Sequence, residues 1–265
     1  MKFKKIYSLL IILCLCSFIG RDEPKHLTIK TKLDFFTADN IGNVYTVKED
    51  ELIKFLPGGK LFARYSNLKL GAISSVDATN PLKLVLYYRD FQQIVFLDNQ
   101  LSVNSEVVSL EKLGYEQADL VCASANNSFW IYNKQNSELV RFDENSKKIS
   151  ATGNLKQVLQ SNLSPNFLME HNGYLFLNCP ETGIYVFDIF GAFSKVISLK
   201  NLRQFQVNET IIYYQKDSSF CSYNYKLFDE ACMAIPDYRS YLGAKYYNGR
   251  LFCSYRDSLI TRDFK

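Results

Sequence analysis

Strand-length apolar runs and polar turn clusters alternate along nearly the whole chain. Six times an asparagine in a turn-like setting, at Asn40, Asn80, Asn127, Asn172, Asn208 and Asn248, precedes such a run. The runs are VYTV (44–47), LVLYY (84–88), FWIY (129–132), YLFL (174–177), IIYY (211–214) and LFCSY (251–255). After each comes a second run that ends in an aromatic residue and a polar turn. The aromatic markers are Phe55, Phe96, Phe142, Phe187 and Tyr223, spaced 41, 46, 45 and 36 residues apart, and Thr261 stands at the sixth position. Asn and Gly tolerate the positive φ that tight hairpin turns need, which is a physical reason for their return at these points.

Two further strand patterns complete each repeat. One lies ahead of the asparagine (DFFTA, ISSVD, DLVCA, NFLME, QFQV, GAKYY) and one follows the polar turn (LFARYS, VNSEVVSL, KKISATG, SKVISLK, ACMAIP). A period near 40 with four short strands per repeat predicts an all-β, six-bladed β-propeller of four-stranded blades. The sixth repeat stops short of its outer strand. An alternating segment at 26–32, HLTIKTK, stands ahead of the first repeat, and the expectation is that it pairs with the strand at 258–265 and closes the ring.

Aromatic composition agrees with strands: Tyr 18 and Phe 20 against a single Trp. The formal charge of +4 is carried largely by the first residues. Setting aside Lys2, Lys4 and Lys5 leaves 28 of the 31 basic residues against 27 acidic ones, so the rest has no electrostatic footprint for nucleic acid or anionic lipid. Those lysines, the apolar stretch Ile6 to Ile19 and the small residue Gly20 read as an export signal over 1–20, with a single propeller domain over 21–265. The apolar stretch is shorter than the roughly 20 residues that span a bilayer. Cys14 and Cys16 each follow a Leu, whereas a lipidated cysteine follows a small residue, so lipidation is not favoured. The mature protein is expected outside the cytoplasm, as a monomer.

Five cysteines remain: Cys122, Cys179, Cys221, Cys232 and Cys253. None has C-x-x-C spacing or a neighbouring His, so no zinc site is expected. Cys221 and Cys232 are equidistant from Tyr225–Lys226 and face each other if that turn closes a hairpin; the other reading is buried free thiols.

Candidate chemistry is sparse. Asp77, Asp119 and Glu170 fall on or near the predicted inner strands of blades two to four, and carboxylates converging on a propeller channel suit Ca²⁺, as in lactonase-like six-bladed enzymes. A carboxylate beside a turn more often caps backbone N–H groups. His171 lies in a turn, and no nucleophile elbow, phosphate-binding loop or zinc-protease helix occurs. No metal or cofactor is therefore expected.

Two connections are long, Leu101–Asp119 and Ser150–Asn166. Within the second, Leu155, Val158, Leu159 and Leu163 have helical spacing. Both join outer strands to inner strands and so open on one face of a propeller. Long loops in compact folds are commonly functional, which makes Leu113, Tyr115, Leu159 and Leu163 candidate anchors for a partner, with Tyr115 and one of Leu159 or Leu163 expected to be exposed.

The stretch DNIGNVYTV (39–47) resembles an NHL-type turn and strand. The runs ISSVDATNPLKLVLYYRDFQQIVFLDNQL (73–101) and GIYVFDIFG (183–191) resemble a family of uncharacterised, exported bacterial β-propeller proteins. That resemblance implies an extracytoplasmic propeller and carries no activity with it. The reading that follows is a binding or scaffolding module at the cell envelope with a protein partner; the alternative is a Ca²⁺-dependent hydrolase or lactonase using channel carboxylates.

Overall fold

The computed structural model describes residues 27–235, 241–247 and 249–263. The export signal expected over 1–20 lies outside the described residues. Six antiparallel four-stranded sheets form a β-propeller. In chain order, β1 (Thr28–Lys30) precedes blade one, which comprises β2 (Phe35–Ala38), β3 (Val44–Lys48), β4 (Glu51–Phe55) and β5 (Leu61–Ser66). Blade two is β6 (Ser75–Asp77), β7 (Leu84–Tyr88), β8 (Gln93–Leu97) and β9 (Val108–Ser109). Blade three is β10 (Ala118–Ala123), β11 (Phe129–Asn133), β12 (Glu138–Phe142) and β13 (Lys148–Ala151). After the one-turn helix α1 (Leu155–Val158), blade four is β14 (Phe167–His171), β15 (Tyr174–Cys179), β16 (Gly183–Asp188) and β17 (Phe193–Ile197). Blade five is β18 (Phe205–Asn208), β19 (Ile211–Lys216), β20 (Ser219–Asn224) and β21 (Asp229–Ala234). The sixth sheet joins β22 (Tyr241–Tyr247), β23 (Arg250–Tyr255) and β24 (Ser258–Asp263) to β1, which is its outer strand.

The outer hairpins share one local device. Asp98, Asp143 and Asp188 stand at or just past the end of the third strand of their blade and accept two backbone N–H bonds through Oδ1, from Gln100 and Ser102, Asn145 and Lys147, and Phe190 and Ala192, at 2.8–3.0 Å. The residue three positions on, Leu101, Ser146 or Gly191, has positive φ. In blades three and four the register shifts by one just before this turn, at Phe142 and Phe187. A side-chain-capped turn followed by a left-handed residue sets the hairpin register and adds local twist. The asparagines are less uniform: Asn127 and Asn172 take positive φ, whereas blade one uses Gly42 and blade five Glu209.

The core is not one mass but a ring of six clusters, each filling the gap between two neighbouring sheets. Leu52 and Tyr45 of blade one meet Leu84 and Leu86 of blade two; Trp130 and Tyr132 of blade three meet Leu175 and Phe187 of blade four. The middle strands are accordingly buried on both faces, as in β7 and β11, and the outer strand β5 alternates. Thr261 shows why the sixth repeat departs from the aromatic pattern. Its Oγ1 accepts from Leu27 N at 2.8 Å and its own N–H donates to Leu27 O, while Thr28 to Lys30 pair with Ile260 to Ser258. A hydroxyl suits a position that must bond a second chain segment; a ring does not.

Cys221 and Cys232, directly opposed on β20 and β21, form a disulfide, and Cys122, Cys179 and Cys253 are buried thiols. Cys221, Cys232 and Glu230 lie close enough to suggest a metal cluster, but the disulfide withdraws both thiolates. Among the described residues no helix is long and apolar enough to cross a membrane.

Candidate functional site: the central channel

The six inner strands run side by side around a channel of about 690 Å³, with lining residues from every blade, among them Phe35, Asp77, Asp119, Phe167, Gln206 and Lys245. A second chamber of about 380 Å³ opens between blades five and six and shares Arg203, Gln204, Gln206, Tyr213 and Lys245 with it. Volumes of this size suit a small organic ligand.

The carboxylates expected to converge here do not. Asp77 ends β6 whereas Asp119 lies near the start of β10, and inner strands of a propeller run in the same sense. Asp77 Oδ2 instead accepts from Ala123 N at 2.9 Å, at the far end of β10, so Asp119 stands four residues, about 13 Å, further along the channel. Asp77 Oδ1 takes the N–H and hydroxyl of Thr79, and Asp119 pairs with Lys134 at 3.5 Å. Glu170 turns toward blade three, where it accepts from Ser124 Oγ at 2.5 Å, Ala125 N at 2.9 Å and the fully buried Trp130 Nε1 at 2.7 Å. Arg141 continues this network through Ser124 Oγ and Ala125 O. These groups cannot share one cation; Asp77 and Glu170 join one blade to the next.

Two other inner-strand side chains, His171 and Gln206, and Asn178 on the next strand do the same. His171 Nε2 accepts from Glu209 N at 3.1 Å, which places the ring proton on Nδ1, and burial holds its pKa below the usual histidine value against the pull of Glu209. Gln206 exchanges two bonds with the Tyr246 backbone, and Asn178 donates to Leu202 O at 2.7 Å. Recurrent polar residues on the inner strands thus seal the ring, which is why their spacing resembles that of a site.

The long-loop anchors are packed rather than presented. Leu163 is buried beside Leu155 and Leu168, and half-buried Leu159 packs on the same cluster between blades three and four. Tyr115 and Leu113 pack on the cluster between blades two and three, Tyr115 edge-on to Phe142 with ring centroids 5.4 Å apart. The expected exposure of Tyr115 and one of Leu159 or Leu163 is therefore corrected. Of the helically spaced residues in 153–163, Leu155, Leu159 and Leu163 turn inward and Val158 stays exposed, and only Leu155–Val158 forms a helical turn, capped by Asn154 Oδ1.

Lys245 is the group that the sequence did not flag. It lies in the middle of β22, 7% exposed, and lines both chambers. Its Nζ sits 5.9 Å from the Phe167 ring centroid and, among the described residues, donates no hydrogen bond. Desolvation lowers its pKa to about 8, with Asp77 opposing. The signal available was a lysine inside GAKYY, an inner strand where the neighbours are small or aromatic.

No family model matches the chain, and no curated protein matches it either. Solved propellers do. The WD40 domain of Neurospora crassa Pan2 aligns with a TM-score of 0.57 at 9% identity over 88% of this chain and 82% of that one. A catalytically inactive virginiamycin B lyase from Staphylococcus aureus with quinupristin gives a TM-score of 0.58 at 11% identity, covering 85% and 78%. A streptogramin B lyase gives 0.57 at 10%, covering 89% and 97%. At these identities the likeness is one of fold.

Proposed function

We propose that this protein is a binding module of the bacterial cell envelope that takes its ligand at the central channel. The observation that carries the reading is a channel lined by all six blades in which the candidate metal carboxylates are already engaged by protein donors. The β-propeller fold supports a binding or scaffolding role, and propellers of this shape include one named with quinupristin. The Ca²⁺-dependent hydrolase reading loses its support, because Asp77 and Asp119 stand at different levels of the channel and Glu170 faces Trp130. The resemblance noted in the sequence and the apolar segment Ile6 to Ile19 favour export.

The Cys221–Cys232 pair supports the same compartment, since disulfides persist in oxidising environments and are rare in the cytosol. The test is thiol trapping in intact cells. Acid quenching and alkylation should find Cys221 and Cys232 protected and released together by reductant, in the extracytoplasmic fraction. Both thiols alkylated without reductant, in protein recovered from the cytosol, would sink the envelope assignment.

A further inference from the structure

Formally the channel lining is balanced: Asp39, Asp77 and Asp119 against Arg89, Arg203 and Lys245. The hydrogen bonds break that balance. Asp39 accepts from Ile41 N, Asn43 N, Asn43 Nδ2 and Tyr45 Oη; Asp77 accepts three bonds; Asp119 is paired with Lys134. The three cations have no such engagement among the described residues. Arg89 and Arg203 are exposed and solvated, but Lys245 is not.

The other inward lysines make the contrast sharp. Lys54, equally buried, donates to Asn99 O at 2.7 Å and lies over the rings of Tyr45 and Phe62. Lys83, over the Phe96 ring, donates to Asn127 O at 3.1 Å. Each has a carbonyl to hold it; Lys245 has a cavity. A largely buried ammonium is costly when it lacks an acceptor, and this one faces the channel, where a ligand can supply one. Around it stand the Phe167 ring, the Tyr213–Tyr246 stack with centroids 4.3 Å apart, and Gln204, whose amide has no partner among the described residues. One charged donor, one free amide and aromatic walls match a small anion with an apolar body.

Resting on the reading of the channel as the ligand site, we infer that Lys245 anchors the oxyanion of a small organic ligand, with Gln204 beside it and Phe167, Tyr213 and Tyr246 against its apolar part. The shared chemistry is an oxyanion, carboxylate or phosphate. A bound anion removes the cost of the buried charge, which makes affinity depend on Lys245 more than on the walls. The lowered pKa of Lys245 follows from its burial, a penalty that a bound counter-ion offsets.

The test follows the Lys245 signal by NMR in the isotope-labelled protein with three probes: 2-naphthoate, its neutral amide and inorganic phosphate. Naphthoate should bind at least tenfold more tightly than the amide and move the Lys245 titration midpoint upward. In Lys245→Met that preference should vanish, and Lys245→Arg should restore it. A response to phosphate equal to that to naphthoate supports the oxyanion and shows that the walls contribute little. Equal affinity for naphthoate and amide overturns the anion anchor yet leaves the channel as a ligand site. No response of Lys245 to any of the three overturns both. Because Lys245→Met removes a buried charge that has no hydrogen-bond acceptor among the described residues, it should melt at least as high as the parent, so lost preference cannot be blamed on misfolding.

Discussion

The two sides of the channel treat buried polar groups in opposite ways. Between blades three and four, Glu170, Ser124, Trp130 and Arg141 form a closed network in which the carboxylate accepts three bonds from blade three. Between blades five and six, Lys245 reaches into two connected chambers and, among the described residues, neither it nor the Gln204 amide has a hydrogen-bond partner. Glu170 and Lys245 each lie on the inner strand of their own blade, β14 and β22. The difference teaches that the ring can be sealed at this level by saturated polar contacts, and that the blade five and six side leaves that seal incomplete.

The largest effect should come from breaking the saturated side. Glu170→Ala leaves the indole N–H of Trp130, Ser124 Oγ and Ala125 N without their acceptor. Removing one member of a buried network costs the desolvation of those left behind, so unfolding in urea should show a loss of about 3 kcal/mol. A loss below about 1 kcal/mol would show that water replaces the carboxylate freely and that the network is not a seal.

The opposite sign is expected on the other side. Lys245 titrates near 8 in the fold against a usual 10.5. Between those values the unfolded chain holds a proton that the folded chain has released, so stability rises with pH through that window, and the full penalty applies below it. Lys245→Met should therefore gain about 2 kcal/mol at pH 7 and lose most of the rise between pH 8 and 10. Urea unfolding of both proteins at four pH values gives the comparison. Parallel curves would mean that Lys245 is solvated in the folded state. The raised pKa of the buried tyrosines, Tyr213 at about 12 among them, lowers stability only above about pH 10 and equally in both proteins.

The smallest effect concerns the loops. Tyr115→Ala removes an edge-on contact with Phe142 at a half-buried site and should cost about 1 kcal/mol, with no change in the pH profile or the naphthoate preference. A change in ligand preference with unaltered stability would return the long loops to the ligand site.

Architecture was legible in the sequence because a propeller writes its repeat locally. Phe96, Phe142 and Phe187, followed by Asp98 two residues on and by Asp143 and Asp188 directly, report one hairpin geometry, and a capped turn needs only its own residues to form. The disulfide was legible only as one of two readings, since equal distance from a turn permits opposition without requiring it.

The site was not legible, for a reason of geometry. Asp77 and Asp119 each looked like inner-strand carboxylates, but whether two such groups meet depends on their level along the channel, which the pattern of apolar runs leaves open. Leu159 and Leu163 had helical spacing, yet the same spacing serves an exposed anchor and an inward stripe. Sequence alone determined the number of blades, the strands within them and the turns that join them, all properties of short segments. Only the tertiary structure decided which polar side chains find partners in the next blade and which, like Lys245 among the described residues, do not. A hydrogen bond across a blade gap joins residues some 40 positions apart, as from the Trp130 indole N–H to Glu170. Its existence depends on the position of the neighbouring sheet to within a few tenths of an ångström.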